Sequence, residues 1–246
     1  MMTIPLQNIE QIPCARESCV LKKTRGDDMF VDLSLPIQSH WRYPLKRDTV
    51  SSFEKGDVWQ VSEFTMKSHW FSHIDFPRHT GLEYPDSNQF PLEHYNGMAS
   101  VLYVQKQSIA MHAITREDLA MAAAGKHLHS ILLIRTDWGL ETSWETKDFW
   151  DNAPYLTDDA ILWIKEQNPT AVAFDFPQDY TIRLLQQRAV APEEQKTHTI
   201  LLRNNILLIE YLTNFHAIGS EECEFICLPL KFEHIDGCPV RAIARV

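Results

Sequence analysis

The residues most able to do chemistry in this chain lie in one stretch of eleven: His69-Trp70-Phe71-Ser72-His73-Ile74-Asp75-Phe76-Pro77-Arg78-His79. Three histidines and an aspartate occupy odd positions, 69, 73, 75 and 79. In extended chain, alternate side chains share a face, so the parity predicts that the four converge. Two imidazoles and a carboxylate (His69, His73 and Asp75) form a ligand set suited to zinc, manganese or iron. His79 is then left over to move protons. A helix would also bring His69 and His73 together, at i and i+4. It would send Asp75 to another side, and Pro77 opposes it.

A second chemical feature lies far downstream. His198 falls in a predicted helix over 193–203, and Glu210 lies in an almost continuous apolar run after it. A buried carboxylate must be paired or bound to a metal to offset its desolvation. A salt bridge from Glu210 to Arg203 or Lys231 would satisfy that need. Beside the first cluster, His198 and Glu210 read instead as a second set of ligands.

Positioning these groups requires a sheet. Residues 29–33 read as a strand ending at Pro36, and 58–74 as one or two strands rich in Val, Trp, Phe, Thr and Ile. Further strands are expected at 99–104, 130–135, 171–176 and 206–212. The tail, 223–232 and 240–246, reads as a hairpin turning near Asp236-Gly237. Helices are expected after the Thr115 cap, with Asp118 in capping-box position and Gly125 as the stop, and over 158–167 behind Thr157. Strands outnumber helices and come in mixed order. That predicts an α/β or α+β domain with a large mixed sheet over 29–246, preceded by a loosely attached arm, 1–28.

Bulk properties narrow the function classes. The chain has 246 residues, 44% of them hydrophobic and 23% charged, with a formal net charge of −10. An acidic chain without a Lys/Arg-rich stretch is a poor match for nucleic acid or an anionic membrane. No apolar run is long enough to span a bilayer, and the first residues lack a basic start and an apolar core of the secretory type. Five scattered cysteines read as free thiols, so a cytoplasmic setting is expected. A structural zinc site from Cys223, Cys227, His234 and Cys238 has the wrong spacing and falls on a strand. No Gly-x-Ser-x-Gly elbow and no Gly-rich phosphate loop is present.

These motifs resemble the cyclase-like metal-dependent hydrolase family, which includes bacterial kynurenine formamidase and isatin hydrolase. The family signature, His-x-Gly-Thr-His-x-Asp-x-Pro-x-His, aligns with His69, Phe71, Ser72, His73, Asp75, Pro77 and His79. Its later His and Glu, separated by eleven residues, align with His198 and Glu210. The resemblance runs through 132–138, 174–177 and the tail, and so covers 29–246. It implies a swivelling β/β/α domain that assembles as a homodimer or higher homo-oligomer. It further implies one or two divalent metals per chain, zinc or manganese. His69, His73 and Asp75 would hold the first, and Asp75 would bridge to a second held by His198 and Glu210. His79 would be the catalytic proton carrier. The implied reaction is hydrolysis of an amide-type C–N bond in a small aromatic substrate. Hydrolysis or cyclisation of a cyclic amide, lactone or polyketide, and metal binding without catalysis, are the alternatives.

Two departures and a cluster concern the pocket. Phe71 stands where the family has glycine, and at the ligands' parity its ring is expected to crowd the site. Ser72 keeps the hydroxyl of the family threonine. Trp41 and Tyr43, in a loop after Pro36, are expected to stack on an aromatic substrate together with Phe71. Trp70 and Phe76, of opposite parity, are expected in the core. Asp175 and Asp179 are expected to make turns.

Overall fold

Three short runs, 131–134, 171–174 and 207–209, are apolar at every position, and every residue in them is buried. Such runs suit parallel strands covered on both faces, and that is how they fold. The computed structural model describes residues 29–246; the expected N-terminal arm lies outside the described residues. The strands are β1 (Phe30–Asp32), β2 (Lys46–Ser51), β3 (Val61–Thr65), β4 (His73–Asp75), β5 (Asn96–Tyr103), β6 (Ala113–Ile114), β7 (Ile131–Arg135), β8 (Tyr155–Leu156), β9 (Ala171–Phe174), β10 (Leu207–Glu210), β11 (Glu222–Pro229) and β12 (Gly237–Arg245). The helices are α1 (Arg116–Ala123), α2 (Trp138–Glu141), α3 (Lys147–Asp151) and α4 (Asp158–Gln167).

Eight strands form one mixed sheet in the order β1-β12-β11-β5-β7-β9-β10-β4, and β12 also pairs with β4. That last pairing closes the sheet into a barrel. β5, β7, β9 and β10 run parallel; β4, β11 and β12 join antiparallel. The mixed order matches the sequence expectation of a large mixed sheet.

The period of two sorts the core into two layers. Ile131, Leu133, Ala171, Ala173, Leu207 and Ile209 face one apolar cluster, shared with Ile74, Phe76, Phe225 and Cys227. Leu132, Ile134, Val172, Phe174 and Leu208 face the other, against Leu119 of α1 and Ile161, Trp163 and Ile164 of α4. Thr115 caps α1 as expected: its side chain accepts from the Asp118 N–H while Asp118 accepts in return. Glu210 shares the parity of Leu208, and His73 and Asp75 share the face opposite to Ile74, so the sheet carries all three to one side.

Two sequence expectations change. Residues 58–74 do not extend as continuous strand: β3 pairs with β2 in a separate hairpin, turns follow, and only His73–Asp75 joins the barrel. The helix expected over 193–203 breaks into a 3-10 turn, Pro192–Glu194, and a π turn, His198–Leu202. Single π turns occur often at functional sites. The cause here is anchorage at the start, where the Thr197 N–H (2.7 Å) and His198 Nδ1 (2.9 Å) both bond to Asp179, while Leu201 and Leu202 sink into the core.

Candidate metal centre

Cross-strand register creates the first contact. β4 and β10 are antiparallel, with Glu210 opposite His73 and Leu208 opposite Asp75. Directly opposed side chains on one face meet, and His73 Nε2 lies 3.1 Å from Asp75 Oδ1 and 3.7 Å from Glu210 Oε2. His198 enters from the π turn, with Nε2 3.0 Å from Glu210 Oε1 and 3.5 Å from Asp75 Oδ2. His69 arrives from the turns before β4, with Nδ1 2.6 Å from Asp75 Oδ1. Donor atoms of His69, His73 and Asp75 all lie within 4.8 Å of one another.

Each of these imidazoles is held by one nitrogen and presents the other. His73 Nδ1–H donates to the Phe71 carbonyl (2.7 Å). His198 Nδ1 is held by Asp179 Oδ2, and His69 Nε2 by Asp236 Oδ2 at 2.7 Å. Anchoring of this kind sets the tautomer and orientation of metal-binding histidines. Glu210 is contacted in turn by the Gln178 amide.

The donor set fits a divalent cation. Asp75 is fully buried, and its Oδ2 has no hydrogen-bond partner. A buried carboxylate oxygen left bare is costly, and a cation would satisfy it. Burial disfavours the charged form of His69, but Asp75 and Asp236 outweigh it and push the ring up to about 10. Burial likewise opposes charge on His198, yet Glu210, Asp179 and Asp75 raise it well above the usual imidazole range. Asp75 is raised by burial and lowered further by His73 and His69, so it stays well below the usual carboxylate range.

His79 sits on a 3-10 turn, Pro77–Thr80, just past β4. Its ring stacks on His69 (centroids 3.8 Å apart, planes at 28°), and its Nδ1 is 3.8 Å from Asp236 Oδ2. About a third of its side chain is exposed, against 1% for His73, so it is the histidine of the group most open to solvent. The four signature residues therefore meet, but not as one strand face. Only His73 and Asp75 share β4, and turns deliver His69 and His79.

A cavity of about 710 Å³ opens over these groups, lined by them and by Arg42, Tyr43, Trp70, Gln178, Asp179 and Tyr211, among others. Tyr43 lines it as expected. Trp41 does not; it is 40% exposed, beside His40 and Lys147. Trp70, expected in the core, is half-buried and forms part of the wall, while Phe76 does pack in the core.

Phe71 also departs from expectation: it neither lines nor closes the cavity. Its φ is 57°, the left-handed region that suits a glycine. That backbone turn directs the ring into the core, where it packs on Tyr43 (5.1 Å) and Trp144 (6.2 Å). Phe71→Gly would relieve about 1 kcal/mol of backbone strain and lose roughly 3–5 kcal/mol of buried aromatic packing. The expected result is a net loss of about 2–4 kcal/mol in denaturant unfolding, with metal content retained.

Three supporting residues escape a reading of the sequence alone. Asp236 holds His69 from the β11–β12 connection, where the sequence suggests only a turn. The hydrogen bond from His69, with His79 nearby, outweighs the effect of burial and holds its carboxyl far below the usual range. Asp179, also expected in a turn, holds His198; Asp175, by contrast, accepts from the Thr136 and Asp137 N–H groups and the Thr136 hydroxyl, and so ties the end of β9 to the end of β7. Gly237 is the third: a Cβ there would come within 2.3 Å of His69 Cε1. Gly237→Ala should displace the ring and weaken metal binding about 10–100-fold while the protein stays folded, as a chelator titration with circular dichroism would report. The local signal for Gly237 is present in Asp236-Gly237, but nothing in the sequence ties it to the distant His69. Cys223, Cys227 and Cys238 are free, buried thiols, and no metal-holding group among the described residues includes them.

Comparison with known proteins places the chain among its relatives. The model of the Cyclase family matches residues 31–178. An uncharacterised protein of Methanocaldococcus jannaschii is 30% identical over 194 residues, covering 78% of this chain and 86% of its own length. Kynurenine formamidase of Bacillus thuringiensis is 25% identical over 223 residues, covering 88% and 97%. Among solved structures, isatin hydrolase A from Labrenzia aggregata shares the fold, with a TM-score of 0.73 at 21% identity over 89% of this chain and 94% of that one. With a family match over more than half of its length and a relative at 30% identity, the chain belongs to the cyclase family.

Proposed function

We propose that the chain is a metal-dependent hydrolase that cleaves an amide-type C–N bond of a small aromatic substrate, in the manner of an arylformamidase. The observation that carries this reading is the convergence of three anchored imidazoles and two buried carboxylates under an open cavity, with His79 beside them. The kynurenine formamidase and isatin hydrolase relatives supply the substrate class. His69, His73 and Asp75 would hold one zinc or manganese ion; His198 and Glu210, with Asp75 between, give capacity for a second. When bound, such an ion acidifies a water and polarises a carbonyl.

The chain's own residues do the rest. Asp236 and Asp179 keep His69 and His198 aimed at Asp75. Trp70 and Tyr43 form an aromatic wall against which a flat substrate would lie. His79, stacked on His69 and open to the cavity, would take a proton from the attacking water and return it to the leaving nitrogen. Tyr43 stays protonated, since burial pushes its phenol up, and can donate a hydrogen bond to substrate.

The homo-oligomer belongs to the same proposal. β2 and β3 form a hairpin that exposes Val50, Phe53, Trp59 and Phe64. A lone two-stranded hairpin is marginal in water, so a second copy would cover it; a monomer in sedimentation would count against this.

Elemental analysis of tag-free protein, followed by an amide and lactone screen that starts with N-formylkynurenine, tests the reading. One or two zinc or manganese ions per chain with turnover of open-chain amides is the expected result. Turnover confined to cyclic amides or lactones would move the assignment to isatin-hydrolase-like chemistry. No metal after reconstitution, with no turnover, would refute it.

A further inference from the structure

Charges in the cavity are unevenly committed. Every carboxylate that lines it is held by an imidazole: Asp75 by His69 and His73, Glu210 by His198, Asp179 by His198, and Asp236 by His69. Its two permanent cations, Arg42 and Lys67, have no carboxylate within ion-pair distance among the described residues. In a chain of net charge −10, an arginine beside a ligand cavity with no carboxylate partner among the described residues is a specific feature.

Arg42 is also placed with care. Its N–H bonds to His40 Nδ1 (3.2 Å), and the Tyr43 N–H closes the turn on the His40 carbonyl (3.1 Å). His40 is itself pinned to the Trp144 carbonyl (3.1 Å) and stacked on the Trp144 ring at 4.9 Å. The guanidinium lies over Trp150, 4.6 Å from the ring centroid, beside the Tyr43 hydroxyl, and one NH2 donates to the Ile182 carbonyl at 3.4 Å. Stacking fixes the plane of the fork without consuming its donors. The wall that carries it begins at the ligands: the His73 ring meets Tyr211 at 5.2 Å, and Tyr211 meets Trp150 at 5.0 Å.

We propose that Arg42, with the Tyr43 hydroxyl beside it, is a specificity residue that takes a carboxylate carried by the substrate away from its scissile amide. The substrate class becomes an aromatic amide with an anionic arm. A planar fork with free donors matches a carboxylate in bidentate fashion, and a neutral substrate would leave it unanswered. Lys67, exposed at the rim, adds long-range attraction for the same charge. The proposal rests on the amide-hydrolase reading for the orientation of the substrate, but not for the binding of the anion.

Two matched pairs test it on the protein with its metal bound: N-formylkynurenine and its methyl ester as substrates, kynurenine and its methyl ester as ligands in calorimetry. Compared below neutral pH, where the α-amine stays protonated in both, the members of each pair differ by the anion and one methyl group. Wild-type protein should favour each acid by about 10–100-fold, in KM for the first pair and in Kd for the second. Arg42→Gln should erase that preference, and Arg42→Lys should restore part of it. Metal content and the thermal midpoint of each variant report whether the Trp150 stack has survived; the wild-type comparison stands even where a variant fails to fold.

Equal binding of acid and ester by wild type overturns the proposal. So does a preference that survives Arg42→Gln in folded protein, which would put the anion at Lys67 or the ligand cluster. Binding of no member of either pair overturns it as well. Arg42-dependent binding of kynurenine without turnover of either formyl compound would uphold the anion site and refute the amide-hydrolase reading.

Discussion

On the proposed reading, Asp75→Asn should empty the metal centre and reduce kcat/KM by on the order of 10³ or more, because an ion that would acidify the attacking water could no longer be held. The size of the effect follows from position. Asp75 is fully buried on β4, at contact distance from His69, His73 and His198 at once. No other acid among the described residues touches all three. Asparagine matches its volume and keeps one carbonyl oxygen, so packing against the sheet persists. The change removes the negative charge and puts an amide donor where a cation must sit. Elemental analysis gives the first readout, with metal falling from one or two ions per chain to traces. The second is the pH-dependent proton release that accompanies metal uptake, which should vanish. Retention of full metal by folded Asp75→Asn protein would show that His198 and Glu210 hold the ion without it, and the shared role of Asp75 would be wrong.

His79→Ala should leave the metal in place and lower kcat by about 10²–10⁴-fold, the usual contribution of a positioned general acid–base group. The distinction from His69 is geometric. His69 Nδ1 is 2.6 Å from Asp75 Oδ1, whereas His79 stacks on the face of His69 and reaches Asp236 at 3.8 Å. His79 can also join donor groups with Asp236 and His69, or with Asp75 and His198, so a ligand role is the direct competitor. Metal content separates the two. If His79→Ala and His69→Ala lose metal equally, His79 is a ligand and the division of labour fails. If only His69→Ala loses it, the proton role stands. A flattened pH profile of kcat in His79→Ala would support the same conclusion.

Local chemistry is legible along the chain itself. The identities of the converging groups, the strands over 131–134 and 171–174, and the Thr115 cap all follow from short-range pattern. Periodicity and capping act over a few residues, so they can be read in sequence order. Parity, however, places the four signature residues on one strand, and only His73 and Asp75 are there. Turns before and after β4 bring in His69 and His79, and a positive φ at Phe71 turns its ring away from the cavity to which parity assigns it.

What the sequence by itself determined is which groups stand ready to do chemistry and the class of sheet that holds them. Tertiary structure alone decided who supports them. Glu210 meets His73 because β4 pairs antiparallel with β10, and Asp236 meets His69 because β12 closes the barrel against β4. Asp179, Gly237 and Arg42 gain their roles through contacts with residues far away in the chain or through cavity walls built from several elements. Strand register and barrel closure are properties of pairing between distant segments. A one-residue slip would reverse every face, and no local pattern in this chain records which segment pairs with which.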